Sequence, residues 1–201
     1  MQSADFAYQK LMAAARKSDC IKLFLQEELP TIFRGLHLEM SDRPSNIVIY
    51  KNGSFDYVFD AYQQDTPHDV NSGQIPIEAR LVAAIGTSAL PMKGRDDARL
   101  RGLDFYPMQS ERGNWDRGHF IGHAIGGTVD GNEANVFPQL RNMNRGRYRT
   151  LEAYCRKNLG TLCFSRPIYE DTTAIPVAVE FGVLRTDNTL RVETLSNRRE
   201  A

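Results

Sequence analysis

Asp116-Arg117-Gly118-His119, then Asn135-Val136-Phe137-Pro138-Gln139, then Asn144-Arg145-Gly146 running on to Glu152 and Arg156, is the stretch from which the rest of this chain can be read. The first piece reads as a short strand, Trp115 to Ile121, in which Arg117 and His119 share one face because they are two residues apart. The last piece reads as a helix beginning near Asn142. Counting about 100° per residue from Asn144, Tyr148 falls at roughly 40°, Glu152 at roughly 80° and Arg156 at roughly 120°, a stripe climbing one side. Met143, Leu151, Tyr154 and Cys155 form an adjoining apolar stripe. The helix is expected to bury the apolar stripe on a sheet and to present the other to the strand that carries His119. Gly146 inside it costs about 1 kcal/mol relative to alanine, so a close approach of backbone to strand or substrate is expected there.

These residue types have a common chemistry. An imidazole with an ordinary pKa of about 6.5 can activate water near neutral pH. Arg117 can pair with a non-bridging phosphate oxygen, and Asp116, on the other face, can brace an arginine or a backbone donor. Asn144 offers a neutral carbonyl oxygen to a hard divalent cation, which leaves coordination positions for water and phosphate. Glu152 can hold the waters of such a cation. A general base, a hard-metal ligand and phosphate-binding cations are the parts that one-metal phosphodiester hydrolysis requires. A competing set, His119 and His123 with Cys155 or Cys163 around zinc, fits no standard zinc spacing.

The formal net charge of zero conceals an uneven distribution. Residues 1–89 carry 8 Lys/Arg against 11 Asp/Glu, residues 90–160 carry 12 against 8, and residues 161–201 carry 5 against 6. The excess of cations lies with the motif. Arg141, Arg145, Arg147, Arg149, Arg156 and Lys157 face only Glu152, a local basic stripe of the kind that follows a phosphate backbone. Arg141, Arg145, Arg147 and Arg149 are therefore expected to contact nucleic acid. Cys20, Cys155 and Cys163 are odd in number and lack CxxC spacing, which argues against a disulfide framework. Cys155 is expected in the core. No apolar run is long enough to cross a bilayer. Met1 to Lys17 has no charged segment followed by an apolar core and cleavage site, so the expectation is cytoplasmic residence or export that reads no N-terminal signal.

Along the chain, Ala4 to Leu29 reads as helical with a break near Ser18-Asp19 and a stop at Pro30. Asn46 to Tyr50, an Asn52-Gly53 turn, and alternating Phe55, Tyr57 and Phe59 read as a hairpin. Asp65 to Pro76 and Met92 to Arg101 read as loops, and Ala79 to Gly86 as a strand. Thr161 to Tyr169, Ile175 to Leu184 and Thr189 to Leu195 read as strands, with a turn at Asp187-Asn188 and a frayed tail from Ser196. The expected architecture is α+β, a central antiparallel β-sheet flanked by helices. An N-terminal helical segment, residues 1–35, would precede a domain over residues 36–201, the whole forming one compact unit.

Asp-Arg-Gly-His, then Asn-x-x-Pro-Gln, then Asn-x-Gly with Glu152 eight residues after the Asn and Arg156 four further, resembles the DNA/RNA non-specific endonuclease family, the ββα-metal or His-Me finger nucleases. The resemblance covers Trp115 to Lys157. It implies a ββα-metal finger with His119 as general base, Asn144 as direct Mg2+ ligand and Glu152 as a ligand through water, Mn2+ being able to substitute. Arg117 and Arg156 would contact the scissile phosphate, and Asn135 would brace the site among the catalytic residues. The family's further phosphate-binding arginine has three candidates, Arg80, Arg95 and Arg99. His119 is followed by Phe120-Ile121-Gly122-His123, where many relatives have a small residue and a proline. The implied activity is non-specific cleavage of DNA or RNA to 5′-phosphate products. A toxin or defence effector is one use for it, and an inhibitor or immunity protein the partner that such a use requires.

Overall fold

The computed structural model describes residues 4–41, 43–63, 77–92, 94, 98, 114–128 and 134–199. Two helices open the chain, α1 (Ala4–Ala15) and α2 (Ile21–Met40). Strands β1 (Ile47–Asn52), β2 (Phe55–Asp60) and β3 (Arg80–Thr87) follow. Next come β4 (Trp115–His119), a 3-10 turn at His123–Ile125 and β5 (Val136–Leu140). A helical run continues directly from β5: α3 (Arg141–Met143), a π-turn (Asn144–Tyr148) and α4 (Arg149–Lys157). Strands β6 (Leu162–Ile168), β7 (Ala178–Leu184) and β8 (Leu190–Ser196) complete the described chain.

Six strands form one antiparallel sheet in the order β1-β2-β3-β6-β7-β8. β4 and β5 make a separate two-stranded sheet. The chain thus leaves the main sheet after β3, builds a β-β-α unit, and returns beside β3 as β6. This is the expected α+β architecture. The β1–β2 turn is formed by Gly53 and Ser54, since Asn52 still pairs with Phe55. That is one residue later than the Asn-Gly reading, and Gly53 supplies the positive φ of 63° that such a turn needs.

The alternation of side chains divides the core between the two faces of the sheet. Leu81, Ala84, Cys163, Val179, Phe181 and Val183 pack on one face with residues of the β-β-α unit, among them Phe120, Ile121, Phe137, Tyr148 and Leu151. Val82, Ala83, Ile85, Leu162, Phe164 and Leu184 pack on the other with Leu11, Leu25, Leu29 and Phe33 of α1 and α2. The two helices are therefore one outer layer of the fold, the sheet its middle, and the β-β-α unit its third layer.

Three expectations need correction. Pro30 lies inside α2 and does not end it. Proline removes one helical hydrogen bond at a cost of about 3 kcal/mol. Leu25, Leu29 and Phe33, none more than 1% exposed, each return about 1.5–3 kcal/mol by burial, so the helix carries through. For the same reason α2 continues to Met40. The tail does not fray at Ser196. Asn197 is only 3% exposed and clamps β5, accepting from the Leu140 N–H at 2.8 Å and donating to the Pro138 carbonyl at 3.0 Å and the Pro176 carbonyl at 2.9 Å. At Gly146 a Cβ would meet nothing within 4 Å, so among the described residues no close approach of the strand explains that glycine. It marks instead a kink, with φ −98° and ψ −116° inside the π-turn. The loop expected at Asp65 to Pro76 lies outside the described residues. So does most of the one expected at Met92 to Arg101, of which only Met92, Gly94 and Ala98 are described.

Candidate active site

β4 and β5 pair with Asp116 opposite Gln139, Gly118 opposite Phe137 and His119 opposite Val136. The motif glycine is explained by this pairing. A Cβ on Gly118 would lie 2.0 Å from Oε1 and 2.4 Å from Cβ of Gln139. The Gln139 side chain, fully buried, thus occupies the room that the missing side chain leaves. Arg117 and His119 alternate onto the face of β4 opposite Asp116 and Gly118. Both are partly exposed, while the Nε2 atom of His119 is buried.

Beyond His119 the chain turns sharply, and Asn135 holds that turn. It accepts from the Ile121 N–H at 2.9 Å and donates to the carbonyls of Ile121 at 2.8 Å and Thr128 at 3.1 Å. At 3% exposure its amide is committed to backbone. Asn135 thus ties Ile121 to Thr128 across the turn that follows His119.

The helical run lies along β4 and the segment that follows it, and is tied to them at three successive points. Asn144 donates its amide to Asp116 Oδ2 at 3.1 Å. Tyr148 donates its hydroxyl to the Phe120 carbonyl at 2.6 Å and shares a hydrogen bond with Ser165 at 3.0 Å. Glu152 receives the Gly122 N–H, and a Cβ on Gly122 would come within 2.2 Å of its Oε1. The stripe of Asn144, Tyr148 and Glu152 does face the strand that carries His119. Met143, Leu151 and Cys155 are buried on the adjoining side as expected. His119 sits in β4 between the Asp116 and Phe120 attachments. Tyr148, on the expected stripe, and Gln139, in the quoted motif, were given no role by the sequence reading; with Gly122 and Asn197 they are contributors whose contacts the fold supplies.

Asp116 is the hub of this arrangement. Besides Asn144 it accepts from Arg141 Nε at 3.2 Å and Arg145 Nε at 3.1 Å. Burial pushes its carboxyl up, but Asn144, Arg145 and Arg141 outweigh that and hold it below the usual carboxylate range. An ionised carboxylate can only accept, so Asn144 must turn its nitrogen towards Asp116. Its carbonyl oxygen is then the end left for another partner.

The expected basic stripe is partly committed to the protein itself. Arg141 and Arg145 pair with Asp116, and Arg147 pairs with Glu193 of β8. Arg149 and Arg156 are exposed, and among the described residues no ion pair holds either. Arg80 is only 5% exposed and donates to the Asp171 carbonyl at 2.6 Å, which commits it to structure. Arg95 and Arg99 lie outside the described residues. His123 opens the 3-10 turn next to Gly122.

The donor set suits a hard divalent cation. The Asn144 oxygen is oriented by Asp116, and Glu152 is a carboxyl whose burial, only partly opposed by the Gly122 N–H, pushes its pKa up to about 7. A nearby cation favours the charged form of such a group. Among the described residues no three His, Cys, Asp or Glu side chains stand together as a metal cage, and the buried Cys155 and Cys163 are both free thiols.

A family model described as DNA/RNA non-specific endonuclease matches residues 72–181, more than half of the 201 residues. No curated protein matches the chain. Among solved structures, one titled "Structure of Sda1 nuclease with bound zinc ion" is similar at 18% identity with a TM-score of 0.35. The match covers 42% of this chain and 39% of that one, so the chain spans well under half the length of that nuclease. Among the described residues no helix is long and apolar enough to cross a membrane.

Proposed function

Since the chain belongs to the DNA/RNA non-specific endonuclease family, we propose that it cleaves phosphodiester bonds of DNA or RNA by metal-dependent hydrolysis, leaving 5′-phosphates, with His119 as general base. The observation that carries this reading is the Asp116–Asn144 contact. It turns an amide oxygen outward at the start of a helix that lies along the strand bearing Arg117 and His119.

Each side chain then has a definite task. His119, in its neutral form, takes the proton of the attacking water, which makes turnover fall as pH drops through the imidazole pKa. Arg117 and the exposed Arg156 bind the non-bridging oxygens of the scissile phosphate and favour the charge that builds there. Asn144 would hold the cation directly and Glu152 through water. A bound Mg2+, for which Mn2+ can substitute, supplies neutralising charge at the phosphate when present. Asp116 acts as a positioning residue for Asn144. Asn135 does the same for the turn after His119. Arg149 and, when drawn from their partners, Arg141, Arg145 and Arg147 attract the backbone without reading bases, so cleavage is weakly sequence-dependent and strongly salt-dependent. α1 and α2 act as a structural layer and form one folding unit with residues 36–201. A toxin or defence effector, held in check by an inhibitor or immunity protein and acting in the cytoplasm or after export, is the role that such an activity suits.

The test is nicking of supercoiled plasmid and cleavage of a structured RNA, with and without EDTA, followed by end-group analysis. Cleavage abolished by EDTA, restored by Mg2+ but not by zinc alone, with 5′-phosphate ends, supports the reading. Cleavage that persists in EDTA, or ends carrying 3′-phosphate, would refute it.

A further inference from the structure

On the opposite face of the sheet from the β-β-α unit, a cavity of about 20 Å3 opens between α2, β3 and β6, lined by Phe33, His37, Arg80, Arg166, Ile168 and Tyr169 among others. Arg80, Arg166 and His37 line the space itself, and further buried charge lies behind them. The side chains of Arg43 and Asp60 are 2% and 0% exposed and pair at 2.8 Å. Those of Arg166 and Glu180 are 9% and 5% exposed and pair at 2.8 Å, with the Tyr8 hydroxyl also donating to Glu180. His37 reaches Asp60 at 3.0 Å. Arg80 is 5% exposed, and among the described residues no carboxylate pairs with it. It donates to the backbone carbonyls of Asp171 and Thr173 and lies 4.3 Å from the centre of the Tyr169 ring. Asp171 turns its own carboxylate to Thr173.

The charges do not balance. Among the described residues, the three guanidiniums of Arg43, Arg80 and Arg166 accompany the two buried carboxylates of Asp60 and Glu180, and burial lowers the His37 pKa. A buried charge without a counter-charge is costly, and so is a buried N–H without an acceptor. The Arg80 guanidinium bears both costs: its Nε is buried and meets no acceptor. Burial and the neighbouring Arg43 also pull its pKa below the usual arginine value, and Tyr169, Asp60 and Asp171 do not offset them. The space is large enough for one or two water-sized bodies, since one water needs about 10–15 Å3 by this measure. It is too small for a phosphate.

We propose that this cavity is a binding site for a single chloride-sized inorganic anion, held by the Nε–H of Arg80 and the field of the Arg80 and Arg166 guanidiniums. The anion neutralises the excess positive charge between α2 and the sheet. It acts on stability, because an anion that binds only the folded chain shifts the folding equilibrium by mass action.

The test uses the full chain in thermal melts at constant ionic strength, exchanging sodium gluconate, whose anion is too bulky for the cavity, for sodium chloride or bromide. The expected result is a saturable rise in Tm of roughly 2–4 °C in either halide once its concentration is several times the dissociation constant. In Arg80→Met the halide increment should vanish. Bromide-soaked crystals of the unaltered protein should show an anomalous peak beside Arg80 Nε, which decides the matter even if that variant fails to fold. Equal melting in gluconate and halide, an increment kept by Arg80→Met, or a cavity holding water only would each overturn the proposal.

Discussion

Replacing Asp116 by alanine should separate the orientation of Asn144 from the chemistry of His119. Asp116 accepts from Asn144 at 3.1 Å, from Arg141 at 3.2 Å and from Arg145 at 3.1 Å. The two arginine side chains are 44% and 63% exposed, so each of those ion pairs contributes at most about 1 kcal/mol. The bond from the half-buried Asn144 to an ionised carboxylate is worth about 1.5–3 kcal/mol. Without it the amide has no reason to keep its oxygen outward. Loss of such a supporting partner typically lowers metal affinity or activity about 10–100-fold. The assay is an Mg2+ titration of plasmid nicking under single-turnover conditions. Asp116→Ala should need about 10–100-fold more Mg2+ for half-maximal rate, with a stability loss on the order of 2 kcal/mol. It should also bind DNA with a steeper salt dependence, because Arg141 and Arg145 are released to phosphate. An unchanged Mg2+ requirement would show that Asp116 does not position Asn144.

Glu152→Ala should also raise the Mg2+ requirement, whereas Arg156→Ala should lower turnover at an unchanged requirement; identical titrations for both would remove Glu152 from the metal site. Gly118→Ala forces a Cβ to within 2.0 Å of Gln139 and should cost about 1–3 kcal/mol in chemical denaturation, and a variant as stable as the parent would contradict the packing described for the hairpin. His123→Ala should retain most nicking activity, and its loss would favour the zinc arrangement. Asp60 is buried, yet Arg43, the Asn46 N–H, His37 and the Tyr62 N–H hold its pKa below the ordinary value, and His37 is likewise shifted down, chiefly by burial. In both cases the unfolded chain takes up the proton first, so stability is lost as pH falls, below about 6.5 for His37 and below about 4 for Asp60. Melts across that range should show Asp60→Asn losing less stability on acidification, by on the order of 2 kcal/mol, and parallel curves would refute the assignment.

The sequence made the local parts legible where period and turn chemistry agree. The β1–β2 hairpin follows from alternation around Asn52-Gly53, and β6, β7 and β8 from apolar runs divided by turns. The β-β-α unit is what the family resemblance carried by Asp116, Asn135 and Asn144 implies, and four-residue steps carry Asn144, Tyr148 and Glu152 onto one side of their helix. What could not be read depends on distant residues. Pro30 stays helical because the sheet covers Leu29 and Phe33. Gln139 fills the space over Gly118 only once β4 and β5 are in register. Arg43, Asp60 and Arg80 meet through the order of the sheet, which no local pattern encodes. Arg141, Arg145 and Arg147 look like free cations in sequence, and their partners, Asp116 and Glu193, are 25 or more residues away.

The central claim, that His119 and Asn144 are the working centre of a metal-dependent phosphodiesterase, is met most directly by one set of single-turnover plasmid-cleavage rates. The parent, His119→Ala and Asn144→Ala would be compared in saturating Mg2+ after removal of bound metal. The account predicts rates at least about 10²-fold lower for His119→Ala, the loss expected of a missing general base, and near-complete loss for Asn144→Ala, with both variants folded. Either variant retaining more than roughly a tenth of the parent rate, against that expected loss, would contradict it.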